Sequence, residues 1–487
     1  MNRLRIALLA ALASVAAGSS TSALAQPAAS TAPAATVREA AQKAVLTNPE
    51  VQARWHLFLS AAQEQEVARG GYLPRVDLSA GVGREHQHDP GLGDRDYTRR
   101  GATLSLSQMV YDGFATASEV SRLGHAKLTR YYELMDASEG AALEAARAYG
   151  DVLRYRELVK LAQDNYVQHK QVFDQIAERV KAGVGRRVDL EQASGRLALA
   201  ESNLLTEASN LHDVSARYQR IVGEVPAAAL PPLELGREGI PPAVAEALRQ
   251  AYTGSPAYAA AAENVRAAQA ELEGRRSRFQ PRVDLRARQD VGQNIDGVDG
   301  HSNTRVVELV LNYNLFNGNA DKAALGQYAE RLNAARDQRD KSCRDIRQTL
   351  SIAHNDVQRL EEQLRYLDQH QLAIAKARDA YRKQFDIGQR TLLDLLDTEN
   401  EYFQARRAYI SAVFDQTIAK VRTLAGMGRL LPTLKVSRGD LPSLASLGQA
   451  PEEVDAATAC PAEAPGMIQI DKEAILAEAL KNAPPRQ

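Results

Sequence analysis

The chain carries few side-chain groups whose spacing could support chemistry. His86 and His88 stand two residues apart beside Asp89, and this spacing places both imidazoles on one face of a strand, where they could hold a metal ion. A polar external loop is the simpler interpretation, and we favour it. The sequence has no HExxH motif, no phosphate-cradling glycine loop ahead of a helix and no nucleophile elbow. We therefore predict a protein that is not an enzyme and that has no metal site and no cofactor.

A second candidate is a pair of acidic residues, Asp394 and Asp397. They are three residues apart in a stretch of helical character, so both carboxylates share one helix face. From the residues alone, this pair is a solvated helix face with a capping role. Gly183 and Gly388 each stand where a long helical stretch turns back, and glycine allows the positive φ that a helix end often needs. The residues of interest therefore lie at helix ends.

The elements that position these residues come in two copies. PRVDL at 74–78 recurs at 281–285, a shift of 207 residues. Downstream the shift is 205, which aligns Gly183 with Gly388. So long a period indicates a duplicated domain, because solenoid repeats have periods of roughly 20–50 residues. We place the first structural repeat at 37–225, a Pro-rich link at 226–242 and the second structural repeat at 243–430.

Each repeat combines a hairpin with two long helices. Residues 76–110 and 283–315 alternate between apolar and polar with a period of two, which predicts antiparallel strands, and the polar stretch 86–98 predicts the loop of the first hairpin. The next stretch in each copy contains no proline over roughly 70 residues, a length that spans roughly 100 Å as a helix. Such helices need partners along their whole length, so coiled-coil packing is expected. The predicted long helices are 114–181 and 319–387, and the return helices are 187–222 and 391–427.

The N-terminus carries an export signal. Arg3 and Arg5 precede a short apolar run that ends in a small-x-small cleavage site, so 1–25 is predicted to be a signal peptide. Residues 26–36 are predicted to form a mobile leader, and 431–487 an irregular C-terminal tail. The residue directly after the cleavage site is Gln26 and not a cysteine, so no N-terminal lipid anchor is expected.

The composition limits the classes of partner. The formal net charge is −1, from 60 Lys and Arg against 61 Asp and Glu, so a nucleic-acid partner is not expected. Cys343 and Cys460 are the two cysteines, and the sequence leaves open whether they pair, although the chain is not a dense disulfide scaffold. Aromatic residues make up 5% of the chain, whereas alanine is abundant, which favours close packing of helices.

The strands predict a membrane barrel built by several chains. Four strands cannot close a barrel, and an open sheet edge cannot lie in lipid. Two chains would supply about eight strands around a filled interior, whereas three would supply about twelve, which could enclose water if bulky or charged lumenal residues push the sheets outward. The fold class is therefore predicted to be dominated by α-helix, with a membrane β-barrel and a long helical extension.

The order of the elements and three motifs resemble the TolC family of outer-membrane export channels. The motifs are PRVDL, AGVGRRVDLEQA at 182–193 and FDIGQRTLLDLLDTENEYFQAR at 385–406, and the resemblance covers roughly 37–430. It implies a homotrimer with a twelve-stranded β-barrel in outer-membrane lipid of a Gram-negative bacterium, continued by a long α-helical barrel in the periplasm. It also implies two partners, a periplasmic adaptor protein and an inner-membrane ABC or proton-driven transporter.

The resemblance also implies roles for individual residues. Asp394 and Asp397 would face the lumen at the constriction, where three chains form two acidic rings that select cations and raise some of the carboxyl pKa values. Arg390 matches a gating arginine, and Asp189 matches its acidic partner. Phe385 stands where many members carry tyrosine, so one closing hydrogen bond is expected to be absent.

Two further features bear on closure. Arg382 stands where an acidic residue is expected, so the closed state is predicted to rest more on Arg390 and Asp189 than in typical members. Gly183 and Gly388 would form the helix turns at the periplasmic tip.

The function that the resemblance implies is a passive exit duct. It would serve type I protein secretion, efflux of small molecules or both, and would open when the adaptor and the pump dock. The alternative from another class is a periplasmic coiled-coil scaffold or adaptor without a pore. Strands long enough to cross lipid favour the duct. The sequence identifies neither the cargo nor the pump.

Overall fold

The computed structural model describes residues 34–91, 93–233, 236, 238–295, 298–447 and 460–481. The predicted signal peptide and the predicted leader up to residue 33 lie outside these residues. The end of that leader is held in place, because Ala34 is buried and its backbone N–H donates to Oε1 of Glu224 at 2.5 Å.

The backbone repeats the duplication that the sequence shows. The first copy consists of α1 Val37–Thr47, α2 Pro49–Arg69, β1 Arg75–Asp89, β2 Gly93–Tyr111, α3 Ala115–Lys181 and α4 Arg187–Val222. The second copy consists of α5 Val244–Gly254, α6 Pro256–Arg276, β3 Arg282–Ile295, β4 Val298–Asn312, α7 Ala320–Asp386 and α8 Leu392–Gly426. Helices α1 and α2 match α5 and α6 at a shift of 207, and α3 matches α7 at a shift of 205.

Capping chemistry explains where several helices begin. The side chain of Asn48 accepts a hydrogen bond from the backbone N–H of Glu50 at 2.9 Å, and Pro49 occupies the first turn, where its missing N–H costs nothing. Helix α8 begins with a capping box in which Thr391 and Asp394 each bond to the other's backbone N–H.

The long helices pair along their length, as the sequence predicts. Helix α3 has 67 residues, which corresponds to about 100 Å, and packs against α4, α6 and α8. Three alanines of α3, Ala142, Ala145 and Ala146, are fully buried, and their small side chains let neighbouring backbones approach closely. Among the described residues, no helix combines the length and the apolar character that a membrane crossing requires.

The four strands form one antiparallel sheet in the order β1-β2-β3-β4. Leu78, Leu104, Leu285 and Leu309 lie on one face, and the opposite face is polar. The predicted loop at 86–98 is wrong, because β1 continues to Asp89 and β2 begins at Gly93. Polar cross-strand pairs extend the ladder past the apolar region.

The cross-strand pairs also locate the two histidines. The Nδ1 atom of His86 lies 3.2 Å from Oδ1 of Asp96, and His88 pairs in the same way with Asp94 at 2.5 Å. Among the described residues, no group of three potential metal ligands gathers here or elsewhere.

The C-terminal tail is more ordered than predicted. It contains α9 Leu430–Leu434, a 3-10 turn at Leu444–Leu447 and α10 Lys472–Lys481. Cys460 forms a disulfide with Cys343 of α7, with the two Cα atoms 5.5 Å apart, which answers the question that the sequence left open. Beyond this bond the tail runs alongside α7, and the Nζ atom of Lys472 lies 3.8 Å from the ring centroid of Tyr366.

Candidate functional site

The two helical hairpins turn at the predicted glycines. Gly183 has φ +77° and Gly388 has φ +78°, a region that glycine enters without steric cost. The backbone N–H of Gly183 donates to the carbonyl of Val180 at 3.0 Å, and that of Gly388 donates to the carbonyl of Phe385 at 3.0 Å. A Cβ added at either glycine would meet nothing within 4 Å. Both glycines therefore serve the turn itself.

An apolar cluster fixes the two turns relative to each other. It joins Val172 and Ile176 of α3, Ala193 of α4 and Leu395 of α8, all buried. Phe385 belongs to this cluster and is 6% exposed, with the guanidinium of Arg179 lying 5.5 Å from its ring centroid. Within one chain, Phe385 therefore packs the core of the tip rather than lining a surface. Its predicted effect on gating stays a prediction.

Within one chain, the structure does not bring Arg390 and Asp189 together. The Nε of Arg390 donates to Oε1 of Gln384 at 2.9 Å, and its guanidinium lies 4.1 Å from the ring centroid of Tyr381. The nearest described cation to Asp189 is Arg186, at 3.8 Å. Any Arg390–Asp189 link would have to join different chains, so their predicted gating role stays a prediction.

Asp394 has a local role that the resemblance did not imply. Its Oδ2 accepts hydrogen bonds from the hydroxyl of Thr391 at 2.8 Å and from the backbone N–H of Thr391 at 3.3 Å. These hydrogen bonds lower the pKa of Asp394, and the nearby Arg390 lowers it further. The rise in carboxyl pKa expected from an acidic ring is therefore opposed at Asp394 by its own cap.

Asp397 is paired, and its partner was missed by sequence reasoning. Arg196 of α4 donates through Nη2 to Oδ1 of Asp397 of α8, which joins the return helices of the two copies near the tip. The Asp397 side chain is 54% exposed and that of Arg196 is 28% exposed. Only their three-dimensional contact reveals the pair, because the two residues are 201 positions apart.

A buried histidine lies close to this pair and was also missed. His169 of α3 is 4% exposed, and its Nδ1 has no hydrogen-bond partner among the described residues. Burial lowers the pKa of His169 to about 4, and the positive charge of Arg196 contributes. The sequence offers only one signal for His169, which is its helical spacing from the other residues of the buried face of α3.

We expect His169 to make the tip sensitive to acid. At pH 5 the unfolded chain binds a proton at His169 that the folded chain does not bind. The free energy of unfolding is therefore highest above about pH 6.5 and decreases as the pH falls toward 4. Between pH 7.5 and 5 this loss reaches up to about 2 kcal/mol per chain. Thermal unfolding of His169→Gln at both pH values should show a smaller decrease in stability between pH 7.5 and pH 5 than thermal unfolding of the parent protein. The exposed His212→Gln variant should behave like the parent, and an equal loss in all three proteins would contradict the prediction.

The sheet presents two features that a single chain does not use. Its apolar face is exposed, with Leu78 at 72% and Leu309 at 67% exposure. Among the described strands, β1 pairs only with β2 and β4 pairs only with β3, so the outer edges of β1 and β4 bond to no strand of the same chain. A sheet with an exposed apolar face and two free edges requires further strands and an apolar surrounding.

Comparison with known proteins matches this geometry to one family. The sequence profile described as "Outer membrane efflux protein" matches residues 40–224 and 247–428, one segment in each copy. The chain belongs to this family. It is an outer-membrane channel protein, and the predicted duplicated fold of long helices and a β-barrel is confirmed.

Curated relatives and solved structures agree with this assignment. Outer membrane efflux protein BepC of Brucella suis biovar 1 (strain 1330) is 25% identical over 75% of this chain and 79% of its own length. Alkaline protease secretion protein AprF of Pseudomonas aeruginosa is 25% identical over 79% of this chain and 83% of its own length. The crystal structure of the Campylobacter jejuni CmeC outer membrane channel has a TM-score of 0.74 at 13% identity, over 81% of this chain and 86% of that one. The fold is thus that of outer-membrane channels and not of a pore-less adaptor.

Proposed function

We propose that three copies of the chain form a continuous exit duct through the outer membrane and into the periplasm. The observation that carries the proposal is the four-stranded sheet with free edges at β1 and β4. Pairing β4 of each chain with β1 of the next closes a ring, and three sheets supply about twelve strands around an aqueous interior. The apolar face then meets lipid, and the polar face lines water.

The duplication supports a closed ring of helices as well. Helix α2 packs against α3 and α6 against α7 within the copies, and α3 packs against α6 between the copies. Among the described helices, α7 does not pack extensively against α2, and a neighbouring chain can supply this contact and complete the series. The helical part of the duct then has a length of about 100 Å, since α3 and α7 have 67 residues each.

The narrow end of the duct lies at the turns of Gly183 and Gly388. In a trimer, Asp394 and Asp397 would be repeated three times around this end and would favour cations. The ion pair between Arg196 and Asp397 offsets part of that charge and ties α4 to α8. We infer that this pair helps to hold the end closed and that docking of a partner separates it.

The duct has no energy source of its own and needs partners. A periplasmic adaptor and an inner-membrane transporter, either of the ABC type or proton-driven, would deliver the cargo to the narrow end. Relatives named for efflux and for protease secretion make a small compound and a secreted protein the two cargo classes to compare. A deletion strain assayed in parallel for sensitivity to toxic compounds and for loss of secreted proteins separates the two.

The mass of the detergent-extracted mature protein tests the duct directly. We expect a trimer in the outer-membrane fraction that dissociates on heating and that gives discrete conductance steps in a planar bilayer. The physical reason is that the free edges of β1 and β4 can be satisfied in lipid only by other chains. A monomer that stays in solution without detergent would exclude the proposal.

A further inference from the structure

The internal duplication predicts residue contacts between chains as well as within one. Within the chain, Nδ1 of His125 on α3 lies 2.7 Å from Oε2 of Glu263 on α6. The shift of 205 between α3 and α7 places Glu330 at the position equivalent to His125. The shift of 207 between α2 and α6 places His56 at the position equivalent to Glu263. The two residue types are thus exchanged at the equivalent positions.

We propose that Glu330 of each chain pairs with His56 of the partner subunit. This pair is equivalent to the one between His125 and Glu263, with the carboxylate and the imidazole exchanged between the two helices. This inference rests on the proposed trimer and names the contact that aligns its chains. Both residues are exposed in the single chain, and among the described helices α7 and α2 do not pack extensively against each other. One carboxylate and one imidazole meet at each place, so the same kind of hydrogen bond can form although the residues are exchanged.

A second equivalent contact supports the same alignment. The hydroxyl of Tyr111, at the end of β2, donates to Oε1 of Gln280, after α6. Their equivalents are Phe316 and Leu73, which are 78% and 67% exposed in the single chain. A polar pair within the chain is therefore replaced by an apolar pair between chains.

A third equivalent contact involves the helices. A Cβ added at Gly274 of α6 would lie 3.1 Å from the Cβ of Ser118 of α3. The equivalent positions are Val67, which is 78% exposed, and the exposed Ala323. Here too the interchain pair is more apolar than the pair within the chain, as a surface buried by association requires.

The strand edges give a consistent register. Leu104 of β2 stands opposite Gln289 of β3. The equivalent pair is Leu309 of β4 and Val82 of the partner subunit. Both of these side chains lie on the apolar face of the sheet, so the alignment that pairs Glu330 with His56 also places apolar residues side by side toward lipid.

Cysteine cross-linking tests this alignment. The double variant His56→Cys with Glu330→Cys, treated in membranes with a short bifunctional thiol reagent and separated on reducing gels, should yield covalent dimers and trimers. The within-chain control His125→Cys with Glu263→Cys should be bridged without forming dimers. A displaced control, His56→Cys with Asp337→Cys, moves one thiol seven residues, about 10 Å, along α7 and should give far less product. Each single variant should remain monomeric on the gel.

The outcomes separate this inference from the trimer itself. A protein that is trimeric in detergent but gives no covalent dimers from the 56/330 variant, while the 125/263 control is bridged, would overturn the pairing and leave the duct intact. Equal cross-linking of the displaced control would also overturn it. A parent protein that is not trimeric would overturn both proposals. If the 56/330 variant fails to assemble, Val67→Cys with Ala323→Cys probes the same alignment with the same expected products.

Discussion

Replacing Arg196 with alanine is expected to raise the single-channel conductance several-fold and to strengthen the preference for cations. The variant breaks the pair with Asp397 that ties α4 to α8 near the tip. Each partly exposed pair contributes roughly 0.5–1 kcal/mol. Three pairs in a trimer would then shift the balance between closed and open forms by about 1.5–3 kcal/mol, which is roughly tenfold or more. Planar-bilayer conductance and the reversal potential in a salt gradient measure the two effects.

A matched variant separates the two effects. Asp397→Asn breaks the same ion pair but leaves no free carboxylate, so conductance should rise without a stronger cation preference. The double variant should conduct no better than either single variant, because the two side chains act through one contact. Arg390→Ala removes contacts with Gln384, Tyr381 and Asp394, none of which joins α4 to α8, and should give a smaller rise. An unchanged conductance in Asp397→Asn would show that the pair does not hold the end closed.

Gly428→Ala is expected to destabilise the fold by about 2–5 kcal/mol and to reduce the yield of assembled protein. Gly428 follows α8 with φ +66°, where a side chain is strained. An added Cβ would also overlap the backbone carbonyl oxygen of Gly254 at the end of α5. Neither backbone segment can move away easily, because each is the end of a packed helix. Thermal unfolding of the purified protein measures the loss.

The first copy provides the control. Gly223 is equivalent to Gly428 and has φ +89°, but an added Cβ there would find only Oγ1 of Thr47, at 4.0 Å. Gly223→Ala should therefore show the backbone strain alone, about 1–2 kcal/mol. Equal losses of stability in the two variants would show that the close approach of Gly254 to Gly428 does not add to the cost of a side chain at Gly428.

The repeated elements were predictable because their signals are local. Alternation with a period of two identified the strands, and long proline-free stretches identified α3 and α7 to within a residue at each end. The error at 86–98 arose because polar residues were taken to mark a loop. A strand that leaves the lipid keeps its hydrogen-bond ladder while its side chains become polar on both faces, as the pairing of His86 with Asp96 shows.

The contacts that sequence reasoning missed join distant parts of the chain. Arg196 meets Asp397 across 201 residues, and Cys343 meets Cys460 across 117. No periodicity predicts such pairs, because the first depends on how the two copies pack side by side and the second on where the tail meets α7. The cap of Asp394 was a local signal, since Thr391 stands three residues earlier, and it competes with the pore role that the resemblance implies.

The bond between Cys343 and Cys460 also orders the events of biogenesis. Cys460 lies 117 residues after Cys343 and beyond both structural repeats, so the thiols can pair only after both repeats have left the reducing cytosol. Maturation of this protein is then tied to the thiol-oxidising capacity of the compartment that receives it. Cells that export the chain but cannot oxidise thiols should accumulate molecules in which added protease readily cuts the segment around Cys460.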